Sequence, residues 1–98
     1  MGHWKDLLAY KKAYELAMKV FHISKRFPPE ERYSLTDQVR RSSRSVCTNI
    51  AEAFRRKRYK DYFISKLNDA ETENTETQVW FDFQKDCGYI TLQEFEEL

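Results

Sequence analysis

Glycine and proline are nearly absent from this chain of 98 residues, which has two of each, and Gly2, Pro28 and Pro29 account for three of the four. A sandwich or barrel needs turn residues at every strand reversal, so a turn-rich β fold is excluded. Cysteine is as scarce. Cys47 and Cys87 lack C-x-x-C spacing and are expected as two small buried hydrophobes in a reducing cytoplasm. No Asn-x-Ser/Thr sequon occurs, and no apolar run approaches the ~20 residues of a membrane span. The opening Met1-Gly2-His3-Trp4-Lys5-Asp6 has no basic region followed by a long apolar one, so no secretory signal is read there. A cytoplasmic protein with no membrane partner is expected.

Residues that carry catalysis or bind metals are thinly spread. His3 and His22 are the only histidines, and neither has a Cys, His or acid at metal-ligand spacing. Asp69-x-Glu71-x-Glu73 begins like a calcium loop, but Asn74 stands where the loop needs Gly and Trp80 where it needs Glu. Two glycines cannot build a phosphate-cradling loop. Ser42, Ser43 and Ser45 have no nearby His to act as base. The expectation is a protein with no catalytic residues, no metal, no cofactor and no enzymatic activity.

What the chain does hold is aromatic bulk and charge. Aromatics reach 15% and charged residues 34%, a composition unlike that of disordered chains. The length suits one domain, residues 1–98. Net charge is only +1, yet residues 38–60 carry eight basic residues against Glu52, and residues 69–98 carry nine acids against Lys85. Such segregation points to charge pairing between segments, to a nucleic-acid surface, or to both.

Helical periodicity is clear. Between residues 5 and 27, Ala9, Ala13, Leu16, Val20, Ile23 and Phe27 recur at steps of three and four. A second stripe, Leu7, Tyr10, Tyr14, Ala17 and Phe21, lies beside the first. It either packs between two neighbours or faces another subunit. Pro28-Pro29 ends this helix. Ser34-Leu35-Thr36-Asp37 reads as the N-cap of a second helix reaching about residue 58. A third runs over residues 60–86, its middle made polar by Asn74, Thr77 and Gln78. Gly88 occupies a helix C′ position, and Thr91-Leu92-Gln93-Glu94 is a capping box for a fourth helix that looks truncated. The fold expected is an all-α, up-down antiparallel four-helix bundle with Leu16, Val20, Val46, Ile50, Phe63 and Leu67 in its core.

The second helix has two informative faces besides its apolar one. Arg40, Arg44, Arg55 and Arg58 fall within about 60° of one another at 100° per residue, with Arg56 and Lys57 beside them. Guanidinium suits phosphate by its bidentate geometry, so these six residues are the candidate nucleic-acid-binding patch. Acids of the third helix such as Glu73 and Glu76 could neutralise them instead. Gln38, Arg41, Ser45, Asn49, Glu52 and Arg56 form a polar line stepping by three and four. A helix–helix contact, a subunit interface, a solvated face and a ligand site all remain open for it. Leu7, Tyr10, Tyr14 and Phe21 with Gln38, Arg41, Ser45, Asn49 and Glu52 make up the candidate oligomer interface.

Gln38-x-Arg40-Arg41, then Ser45 and Asn49-Ile50-Ala51-Glu52, resembles the signature of four-helix bundle proteins encoded in intervening sequences of large-subunit ribosomal RNA, also described as S23-type ribosomal-protein homologues. Trp4-Lys5-Asp6-Leu7, Phe27-Pro28-Pro29-Glu30-Glu31 and Asp86-Cys87-Gly88-Tyr89-Ile90 extend the resemblance over nearly the whole chain, with Ala53 where the family usually has Gly. The bundle is also similar to the accessory variability proteins of diversity-generating retroelements, basic pentamers that bind nucleic acid. The resemblance implies a ring-like homopentamer and no established enzymatic activity. Two function classes stay open. One is an oligomeric accessory protein that binds RNA or DNA; the other is a scaffolding homo-oligomer that binds a protein partner, its charged faces paired internally. The aromatics lie mostly on core stripes, so phosphate contact ranks above base stacking.

Overall fold

A computed structural model describes residues 3–98, and it is helical with no strand among those residues. Met1 and Gly2, part of the N-terminus in which no secretory signal was read, lie outside the described residues. A 3₁₀ turn, Trp4–Asp6, precedes helix α1, Leu8–Ser24, and Leu7 between them is extended. Helix α2 spans Asp37–Arg55, α3 spans Lys60–Asp86, and the short α4 spans Leu92–Glu96. At 1.5 Å per residue α3 alone is about 40 Å long, and it sets the long axis of a molecule measuring 44 × 22 × 19 Å.

The three long helices run antiparallel. Near the start of α2, Arg40 reaches Ser24 at the end of α1, while Leu7 and Leu8 line the same groove as Ala53 and Phe54 near the end of α2. Between α2 and α3, Arg41 pairs with Glu73 and Glu52 with Lys66, which fixes the register of that hairpin. Ser42 and Thr77, both fully buried, share a 2.7 Å hydrogen bond at its centre. The polar middle of α3 is therefore satisfied where it is buried, and Asn74 and Gln78 are exposed.

The helix ends follow their capping chemistry except at α2. Gly88 has φ +78°. Its N–H donates to Lys85 O and that of Tyr89 to Gln84 O, at 3.0 and 2.9 Å, the paired bonds of a Schellman motif. Both halves of the Thr91/Glu94 capping box form. Ser34 does not cap α2. Residues Arg32–Thr36 make a π-helical turn instead, and the Ser34 hydroxyl donates to Glu31 Oε1 at 2.7 Å.

The closed core lies toward one pole. Val20, Phe27, Leu35, Val39, Phe81 and Ile90 are buried together, with Phe95 and Leu98 against them. Toward the other pole the buried apolar residues are small, namely Cys47, Ala53 and Ala70. Of the six expected core residues only Val20 is buried: Leu16, Val46, Ile50 and Phe63 are half-buried and Leu67 is exposed. The five line a groove of about 540 Å³ between α1, α2 and α3. Periodicity correctly marks their face as apolar, but α4 covers only the opposite end of it. Glu94 pairs with Arg26, and Lys19 donates to Glu97 O, so α4 lies along the C-terminal half of α1. Cys87 is another correction, since it is exposed on the turn after α3 while Cys47 is buried.

Candidate nucleic-acid interface

The polar line of α2 faces α3 of the same chain. Arg41 donates to Glu73 through both Nη atoms, at 2.8 and 3.2 Å, and to Glu76 through Nη2. Hydrogen bonding from Arg41 holds the Glu73 carboxyl below the usual carboxylate range, and the two acids raise the Arg41 guanidinium further above its already high value. Glu76 also accepts from Trp80 Nε1 at 3.1 Å. Farther along, Glu52 takes Lys66 at 3.0 Å and raises its ammonium pKa. Gln38 accepts from Arg41 Nε at 3.4 Å, and Asn49 donates to Ser45 O and Oγ. Of the readings open for this line, the structure takes the helix–helix contact for Arg41 and Glu52. Of the four apolar residues grouped with them, Tyr10 and Tyr14 lie together, their ring centroids 6.1 Å apart, while Leu7 and Phe21 point elsewhere. Leu7 lines the groove, Tyr10 stacks edge-on against Trp4, and Phe21 lies under Arg40 and Lys25. Tyr14, 52% exposed, lies against solvent with Met18.

The arginine arc is redistributed. Arg40 turns into the α1–α2 seam, where Nε donates to Ser24 Oγ at 2.7 Å and the guanidinium covers the Phe21 ring at 5.3 Å. It staples two helices. Arg58 also leaves the arc because α2 ends at Arg55, where Arg56 departs from helical backbone at φ −115°, ψ 28°. The 100° step that aligned Arg58 with Arg40 therefore stops three residues short.

The structure gathers a tighter group in their place. Arg55, Arg56, Lys57, Arg58 and Lys60 are all exposed on the turn joining α2 to α3. Among the described residues none of the five, nor Arg44, makes an ion pair. Glu73 and Glu76, the acids expected as the alternative neutralisers of the arc, are committed to Arg41. Cations this close repel one another, so a bound anion would relieve the whole cluster. The turn also displays Tyr59 and Tyr62, 58% and 40% exposed. Sequence reasoning passed over both by assigning aromatics to core stripes. Their interleaving with cations, Arg-Arg-Lys-Arg-Tyr-Lys-Asp-Tyr, was the available signal.

Residues 5–98 match the family described as 23S rRNA-intervening sequence protein. The chain belongs to that family. Among curated proteins none matches it significantly. In this family member no helix of the described residues is long and apolar enough to cross a membrane.

Proposed function

We propose that this family member is a non-enzymatic accessory protein that binds RNA or DNA by its phosphates at the α2–α3 turn. The observation carrying this reading is the cluster of five exposed cations, Arg55 to Arg58 and Lys60, none of them in an ion pair, with Asp61 the one acid among them and Glu52 held by Lys66. The two free thiols suit a reducing cytoplasm. The test is affinity against salt. Phosphate contacts release counterions, giving a log–log slope of about −0.9 per contact on duplex DNA. The triple variant Arg55→Ala/Arg56→Ala/Arg58→Ala is expected to weaken binding and flatten that slope. Unchanged binding and slope would overturn the reading.

A homo-oligomer, a pentamer by the family resemblance, is the second reading. Tyr14 and Met18 favour it, being large apolar side chains exposed on one face of α1 beside half-buried Tyr10. Light scattering giving 11.9 kDa at micromolar concentration would remove it.

A further inference from the structure

Resting on the phosphate-binding reading, we infer that the α2–α3 turn selects single-stranded nucleic acid, with Tyr59 and Tyr62 as platforms on which unpaired bases stack. Three other aromatics are exposed, Tyr14, Tyr33 and Phe83. Tyr33 has Arg32 over its ring but follows Glu30 and Glu31, Phe83 lies between Asp82 and Asp86, and Tyr14 shares its face with Glu15 as well as Lys11 and Lys19. Tyr59 and Tyr62 are the pair set among unpaired cations, with Asp61 the single acid in the stretch from 53 to 68.

Their surroundings suit stacking. Tyr59 is the N-cap of α3, its N–H bonded to Arg56 O and its carbonyl accepting from Phe63 N, each at 2.9 Å, so its backbone is pinned while its ring stays exposed. Tyr62 follows within the first turn. The Arg56 guanidinium and the Lys66 ammonium each lie 5.7 Å from its ring centroid. A base laid on the Tyr62 ring takes the place of the cation covering that face, and Arg56, which makes no ion pair, can meet the phosphate while Lys66 stays with Glu52. A tyrosine ring has only two side-chain torsions to fix, so ordering it on binding costs little.

Shape argues the same way. The cations occupy one turn, not a row along a helix, so a rigid duplex can bring few phosphates to them at once. A single strand can fold its phosphates around the turn and offer base faces to the rings. A duplex keeps its bases stacked on each other and leaves both tyrosines idle.

The test uses fluorescence anisotropy with labelled oligothymidylate of about twelve nucleotides, within the usual site size, and a duplex of equal length at matched salt. The single strand is expected to bind more tightly. Tyr59→Leu/Tyr62→Leu should lose about tenfold or more on the single strand, keep the wild-type salt slope, and change duplex binding little. Tyr59→Phe/Tyr62→Phe should bind as wild type, and circular dichroism should match for all. If the duplex binds as tightly as the single strand, or the leucine variant binds the single strand like wild type, the stacking inference falls. Loss of both ligands in the arginine variant would then leave the phosphate reading standing. Failure of the wild-type protein to bind either probe at low salt overturns both.

Discussion

The hydroxyls of Ser42 and Thr77 meet at 2.7 Å with no solvent exposure on either residue. Thr77 Oγ1 donates to Glu73 O at 2.9 Å, so its lone pair is what Ser42 fills. With this bond the small side chains of α2 and the polar middle of α3 pack closely. Ser42→Ala or Thr77→Val should each cost about 1 kcal/mol, and the double variant less than the sum, since no buried hydroxyl is then left without its partner. Urea unfolding of the four proteins measures the coupling.

Acid should loosen the same seam. Arg41 depresses the Glu73 carboxyl, and hydrogen bonds from Ser34 and Tyr89 depress that of Glu31. A carboxylate with a lowered folded pKa stabilises the fold above its unfolded value, near 4.5, and loses that contribution as pH falls through the folded value. Melting temperature should fall below about pH 4.5, less so in Arg41→Met.

Alkali acts on the partner of Glu31. The Tyr89 hydroxyl donates to Glu31 Oε2 at 2.7 Å, and that carboxylate pushes the phenol up to about 12. The sign is reversed here. A raised pKa contributes stability fully below the unfolded value of 10, and the contribution is lost as pH rises toward 12. Tyr89→Phe should abolish this part of the alkaline decline, read by thermal melts across that range.

The two halves of the bundle should respond differently to truncation. Phe81 is 1% exposed in the closed core, so Phe81→Ala should cost about 3–5 kcal/mol. Leu67 is 40% exposed on the groove wall, and Leu67→Ala should cost less than about 1 kcal/mol. Urea midpoints compare them.

Arg40 and Arg55 separate stability from binding. Arg40→Ala removes the bond to Ser24 and the contact with Phe21, and should cost about 1 kcal/mol of stability. It should leave the salt slope of nucleic-acid binding unchanged. Arg55→Ala should do the reverse, as calorimetry and a salt titration on both variants would report.

The helices were legible because their signals are local. The apolar steps of α1, the Gly88 cap and the Thr91/Glu94 box are each written within a few residues. The partners of the polar line were not, since Arg41 finds Glu73 and Glu76 more than thirty positions away. Ser34 carries a capping side chain, yet Glu31 competes for its hydroxyl. Periodicity told which face of α3 holds Phe63 and Leu67, but whether a neighbour covers that face depends on where α4 lies. The basic turn was legible as charge. That its members are gathered by a helix stop at Arg55, and not by one helical face, needed the backbone.

Placing the large buried side chains at one pole has a consequence for breathing motions. Regions with few buried contacts open at lower free energy than the whole molecule, and their amides exchange with solvent sooner. Val20, Val39 and Phe81 anchor the slow-exchanging end. The last turn of α2 and the first of α3, toward the end whose buried apolar residues are small, belong to the fast-exchanging one. The cationic turn therefore sits at the end of the bundle expected to open first, while the far end of the same helices keeps the fold intact.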